Sequence, residues 1–196
     1  MASEHLVLRP GEDGVNGYRW LTGLVVPRPI AWVSSISAAG IGNLAPHSFF
    51  TVASARPPVV QFTSVGAKDT LSNVLATREF TISVASRPLL GAVNASSATY
   101  EAGVDEAREL DIEMRPSVVV APPRVAASPA SLECRLIRTV PVGDSTIVLG
   151  EVVAVTVDPD VLVDGRPSPE RLAPISRLGG DEWGLPPEVI RVPRPD

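Results

Sequence analysis

"PIAWVSSISAAGIGNLAPHSFFTVASARPPVVQFTSV", residues 29–65, sets three β-type runs end to end. "PIAWVSSIS" (29–37) is rich in β-formers and small residues, which suit a pleated, packed surface. "AAG" (38–40) reads as a turn. "IGNLAPHSFFTVAS" (41–54) predicts a second strand, bent near Pro46, because proline cannot donate to a ladder. These two runs form a hairpin. "ARPP" (55–58) turns the chain again, and "VVQFTSV" (59–65) supplies a third strand.

Downstream the period changes. In "DTLSNVLATRE" (69–79), Leu71, Val74 and Leu75 fall at helical spacing, and Asp69 or Thr70 can cap the start. "EFTISVA" (79–85) returns to strand. "PLLGAVNASSAT" (88–99) fits a short helix with Pro88 in its first turn. "EAGVDEAREL" (101–110) is polar and reads as a loop with a helical turn. "SLECRLIRTVPV" (131–142) and "STIVLGEVVAVTVD" (145–158) flank Gly143–Asp144 as a long hairpin, with Arg135 and Arg138 interrupting its first arm. Residues 158–196 are rich in proline, glycine and charge, and "RLGGDEWG" (177–184) is their most distinctive piece. The 20 prolines break the chain into short elements and exclude long helices. Many short strands with a few short helices predict a mainly β protein, a closed antiparallel barrel with helical additions. The chain is long enough for one domain: a core over about 20–158 and a C-terminal arm over 159–196.

Composition excludes several functions. The net charge of −5 argues against a broad nucleic-acid footprint. Cys134 is the sole cysteine and the histidines are His5 and His47, so neither a disulfide nor a cysteine or multi-histidine metal site is expected. No stretch approaches a membrane span. "MASEHLVLRPGEDG" lacks the basic and apolar regions of a secretory signal. A soluble, cytoplasmic protein is expected.

Four stretches carry chemistry. Lys68 is the only lysine among 17 basic residues and stands at a helix start. A helix mouth offers unpaired N–H groups and partial positive charge, to which an ammonium adds a full charge, Thr70 a hydroxyl and Asn73 an amide. The same residues also fit an ordinary capped surface helix. Arg28, between Pro27 and Pro29, is held in an extended segment that can aim its fork at a phosphate or carboxylate; it also fits a connector. Ser34 follows on the strand. "NLAPHSFF" (43–50) combines Asn43, His47, Ser48 and Phe49, the mixture of apolar faces and edge-reading polar groups that a planar ring needs; it fits a core strand as well. No catalytic side chain is assigned; His47 is the one candidate acid or base. "GIGNLA" (40–45) matches a dinucleotide fingerprint, but Pro46 follows where a helix must open, so a hairpin turn is the better reading.

"VPRPIAWVSSISAAGIGNLAPHSFFTVASARPPVVQFTSVGAKDTLSNV" (26–74) resembles the core of the flavin reductase-like, FMN-binding split-barrel family, which includes flavoredoxin and the reductase components of two-component monooxygenases. The resemblance continues in "SPASLECRLIRTVPVGDSTIVLGEVVAV" (128–155) and "PISRLGG" (174–180). It implies a six-stranded antiparallel split barrel, a homodimer, and tightly bound FMN near the subunit interface. It places Lys68 and Thr70 at the FMN phosphate, with Asp69 and Asn73 completing the motif. Arg28, Ser34, Asn43, His47, Ser48 and Phe49 fall along flavin-lining strands, and Arg177 joins from the arm. It further implies NAD(P)H as electron donor, with free flavin, oxygen or a partner enzyme such as a monooxygenase as acceptor. A flavoredoxin-like carrier and a non-enzymatic ligand-binding barrel remain alternatives. Glu106 and Ala107 stand where relatives often carry Lys-Phe, which puts substrate choice in that loop in question.

Overall fold

In the computed structural model, which describes residues 5–101, 103–193 and 195, the three runs become four strands. β1 (Ala31–Ile36), β2 (Gly42–His47), β3 (Phe50–Ala55) and β4 (Pro58–Val65) are followed by β5 (Glu79–Val84), β6 (Ala130–Val142) and β7 (Ser145–Val157). They form one sheet in the order β2-β1-β5-β6-β7-β4-β3, with antiparallel pairing throughout. The two edge strands, β2 and β3, are consecutive in the chain, with only Ser48 and Phe49 between them. Counted as one bent run, they close six strands into an antiparallel split barrel. Pro46 is not the bend: it stays inside β2, opposite Trp32, and an edge strand tolerates its missing donor. The break lies two residues later.

β1 is buried on both faces, so it lacks the alternation of a half-exposed strand. Ala31 and Val33 face the barrel interior with Phe62, Phe80 and Val148. Trp32 faces outward with Ile30 and packs on Leu44, Val93 and Ile175. Its indole N–H donates to Ser96 Oγ at 2.9 Å, which satisfies the polar end of a buried ring.

Two helices bear on the site. α1 (Gly17–Leu24) is capped by Asn16, whose Oδ1 accepts from Arg19 N at 3.0 Å. Its two glycines weaken the helical signal of "GYRWLTGL". α2 (Asp69–Thr77) places Val74 and Leu71 against the barrel interior. It ends at Arg78, which adopts a left-handed conformation (φ 65°), so Glu79 opens β5 instead of extending the helix. The expected short helix and helical turn are present at Leu90–Ala95 and Glu106–Glu109.

The first predicted strand divides. Arg28–Pro29 leaves the barrel and pairs with Ser176–Arg177, which pairs in turn with Trp183–Gly184. The C-terminal arm thus folds back onto the barrel entrance, held also by Arg87 N to Ala173 O (2.8 Å) and Ile175 N to Ala85 O (3.0 Å).

Gly150 in β7 lies under the buried Phe80 ring, and a Cβ there would overlap the ring and crowd Cys134. Gly150→Ala is expected to lower unfolding free energy by about 1–3 kcal/mol, as overpacking does. Urea denaturation checks this, and an unchanged midpoint would mean that Phe80 can rotate aside.

Candidate functional site

The site forms where β2 breaks into β3 and β4 hands over to α2. The chain leaves β4 through Gly66, in the left-handed region at φ 74°, with its amide tied to Asp144 O at 3.0 Å. Lys68 then occupies the N-cap position of α2, and no side chain caps the helix. Among the described residues, no ion pair or side-chain hydrogen bond engages its ammonium. Lys68, at the N-cap position of α2, lines a cavity of about 520 Å³.

His47, Ser48 and Phe49 line this cavity at the strand break, and Arg177 lines it from the arm. These four and Lys68 are the predicted site residues that the fold brings together. Tyr18 of α1, Thr63, Asn94, Ser97 and Trp183 join them and were missed by sequence reasoning. Trp183 lay within the distinctive "RLGGDEWG", whereas the helix of Tyr18 carried no clear periodic signal.

The other predicted residues stand behind the cavity. Asn43 Nδ2 donates to Thr70 Oγ1 at 2.9 Å, and Asn73 Nδ2 donates to Ser35 Oγ at 3.2 Å. All four residues are buried. Thr70 and Asn73 therefore fasten α2 to β1 and β2 from its inner face, and neither lines the cavity. Asp69 is exposed in the first turn, where its carboxylate suits the helix dipole. Ser34 is buried in β1 opposite Leu44 and Thr81.

Arg28 is also corrected. Its fork donates to Thr22 O, to Val25 O at 2.7 Å and to Leu178 O at 2.7 Å. It clamps the end of α1 to the arm through its two terminal nitrogens, does not line the cavity, and keeps Nε as a buried atom without a partner. Burial and the nearby Arg177 lower its pKa from the ordinary value. Tyr18 acts the other way.

His47 is buried, with its ring 4.7 Å from that of Phe62. Burial, reinforced by the Lys68 charge, lowers its pKa to about 4, against an opposing hydrogen bond with the Thr63 backbone. The imidazole is thus neutral at neutral pH, and Nε2 is a buried atom without a partner. The neutral ring holds no imidazolium proton to give up near pH 7.

The acidic loop is not wholly solvated. Glu106 is buried and its Oε2 accepts from Leu44 N at 2.8 Å, satisfying an amide of edge strand β2. Burial raises its pKa. Glu133 accepts from the amides of Val118 (2.7 Å), Val119 (2.6 Å) and Val120 (3.3 Å), so it anchors a loop. Among the described residues no cluster of metal-ligating side chains occurs, and no helix is long and apolar enough to cross a membrane.

Comparison with known proteins places this geometry. Residues 23–168 match the family model described as "Flavin reductase like domain". An uncharacterized protein of Deinococcus radiodurans is 39% identical over 175 residues, covering 83% of this chain and 77% of that protein. The crystal structure of nitrilotriacetate monooxygenase component B from Bacillus cereus superposes with a TM-score of 0.92 at 29% identity, covering 97% of this chain and all (100%) of that one. That of 2-nitrobenzoate 2-nitroreductase from Pseudomonas fluorescens gives 0.87 at 25%, covering 98% and 96%.

The histidine makes a pH prediction. Because its folded pKa is depressed, the unfolded chain takes up the proton first as pH falls. Stability from the neutral ring is complete above about pH 6.5 and is lost progressively toward pH 4. His47→Gln is expected to shrink this acid-dependent loss by on the order of 3 kcal/mol. Urea melts across that range check it, and parallel wild-type and variant curves would refute it.

Proposed function

The chain belongs to the flavin reductase-like family, and from that membership and the cavity we propose that it is an FMN-dependent oxidoreductase. The observation that carries the proposal is the one cavity lined by Lys68, which stands at the N-cap of a helix that no side chain caps, and by the Ser48–Phe49 break. Each part answers a different part of the cofactor. An ammonium is a compact charge with three rotatable donors, suited to a phosphate dianion, and the amides of the helix mouth complete that seat. Phe49 offers an apolar face, Ser48 a hydroxyl, and His47 a neutral nitrogen without a partner, as a polar-edged ring requires. The residues present thus fit FMN. When bound, FMN supplies a ring that accepts and passes on electron pairs.

This chain's own residues bind and orient. Asn43, Ser35, Thr70 and Asn73 hold α2 in register with the barrel, so that Lys68 keeps its place. Arg28 holds the arm against the cavity. His47, kept neutral, adds no positive charge at the ring. No side chain is assigned a proton transfer. NADH or NADPH is the proposed donor, and free flavin, oxygen or a partner enzyme the proposed acceptor. A homodimer is part of the proposal: Leu21 and Leu24 on α1, Val25 just after it and Val52 on β3 are largely exposed, and apolar surface of this kind marks association sites. The chain acts as one domain, in the cytoplasm, in the same reading.

An absorbance spectrum of the protein as purified, followed by anaerobic NADH or NADPH, tests the assignment. Flavin absorbance that bleaches supports the reductase. Flavin that does not bleach with either donor makes the protein a carrier, and protein without flavin affinity sinks the proposal. Lys68→Ala is expected to weaken FMN binding at least tenfold, about 1.4 kcal/mol. A fluorescence titration with unchanged affinity would remove Lys68 from the phosphate seat.

A further inference from the structure

The titratable lining of the cavity is Lys68 from the N-cap of α2, Arg177 from the arm, Tyr18 from α1 and His47 from β2; among the described residues no carboxylate lines it. Neither β1 nor β4, the strands that meet the imidazole, carries a titratable side chain. Asp69, beside Lys68, is exposed and does not line the cavity. Of the four lining groups, the imidazole alone has an ordinary titration range near neutral pH.

The ring is held firmly. His47 pairs with Ala31 of β1, its ring lies 4.7 Å from that of Phe62, and the residue is buried. The hydrogen bond with the Thr63 backbone favours the protonated ring, so a ring N–H donates to the Thr63 carbonyl. Nε2 has no partner, which puts that N–H on Nδ1 and leaves Nε2 with a lone pair. Burial and the Lys68 charge together hold a second proton off the ring. Only burial is permanent. A phosphate dianion on the Lys68 ammonium cancels the repulsion from that side, and negative charge gained inside the cavity turns it into attraction.

We infer that His47 is the proton-holding group of the cavity: it takes up one proton at Nε2 when electrons enter and gives it up when they leave. This rests on the flavin reading, in which the imidazole is neutral before the donor arrives, and adds to it. A hydride carries two electrons and one proton from the nicotinamide donor, which is oxidised, to the bound flavin, which is reduced and gains one negative charge. A proton from water then binds Nε2, and the imidazolium, still donating from Nδ1 to Thr63, balances that charge. When the electron pair passes to the acceptor, the Nε2 proton returns to water.

The chain has two histidines, His5 and His47, so NMR of histidine-labelled, FMN-loaded protein reads two imidazoles. It is titrated from about pH 5 to 8, where a free imidazole changes charge, first oxidised and then reduced anaerobically with dithionite. Oxidised His47 is expected to stay neutral throughout. Reduced His47 is expected to titrate at about pH 6 or above, roughly a hundredfold gain in proton affinity, while His5 does not move. His47→Gln, which keeps a polar side chain but holds no proton, assigns the signal. It is also expected to flatten the pH dependence of the bound-flavin potential by about 30 mV per pH unit between about pH 5 and 6, the value of one proton in a two-electron couple. The wild-type titration stands on its own should the variant fold poorly. FMN-loaded protein in which His47 titrates alike in both states overturns the inference and leaves the flavin reading intact, as does a variant that retains FMN and the wild-type slope. Protein that holds no FMN overturns both.

Discussion

A single run of chain supplies both edges of the barrel sheet. β2 and β3 do not pair with each other: they are successive pieces of one run, and Ser48 and Phe49 step from one edge of the sheet to the other. Where the ladder is interrupted, backbone and side chains are free to face a ligand. The cavity opens at that step, with His47, Ser48 and Phe49 at its floor. Thr63 of β4 keeps the step in place, since its N–H donates to Phe49 O at 2.9 Å. Without the break there would be six paired strands and no site.

The closure also explains why polar residues are so frequent in the interior. α2 plugs the barrel with Leu71 and Val74, but its first turn must stay accessible, so that turn cannot be fixed by apolar packing alone. Asn43, Ser35, Thr70 and Asn73 fix it by side-chain hydrogen bonds, the two amide nitrogens donating to the two hydroxyls, as buried groups find partners. Hydrogen bonds are directional, so they set the angle of the helix mouth more sharply than contact between leucines would.

Most strands were legible because glycine or proline stands near their ends and β-formers fill them, but the Ser48–Phe49 break that divides β2 from β3 carries neither signal. The Gly143–Asp144 hairpin falls where turn chemistry places it, whereas α2 starts at Asp69 with Lys68 at its N-cap and neither Asp69 nor Thr70 caps it. What stayed hidden depends on distance in space. The partners of Arg28 are the carbonyls of Thr22 and Val25, and of Leu178, 150 positions away. No local pattern distinguishes a fork that binds phosphate from one that binds main chain. The same holds for Asn73 and Thr70, whose polar side chains read equally well as ligand donors and as interior fastenings. α1 was hidden by its two glycines, and with it Tyr18. In sequence Glu106 is one polar residue of a loop, and the amide it satisfies belongs to an edge strand sixty-two positions earlier.

The contrast between the arginines and the lone lysine follows from the same distinction. Arg28, Arg78, Arg171 and Arg177 all turn their forks on backbone carbonyls: of Thr22, Val25 and Leu178; of Leu136 and Ile137; of Asp160 and Leu162; and of Gly180 and Glu182. A planar guanidinium spans two carbonyls at once and remains charged when partly buried, so it serves here as a cross-link between loops that pair poorly by themselves. An ammonium has no such fork. Placed at Lys68 it forms no cross-link among the described residues and keeps its donors for what enters the cavity. An arginine at that position could instead fold back onto exposed carbonyls of the β4–α2 turn, as its counterparts do elsewhere in the chain, and the charge would then be lost to the site.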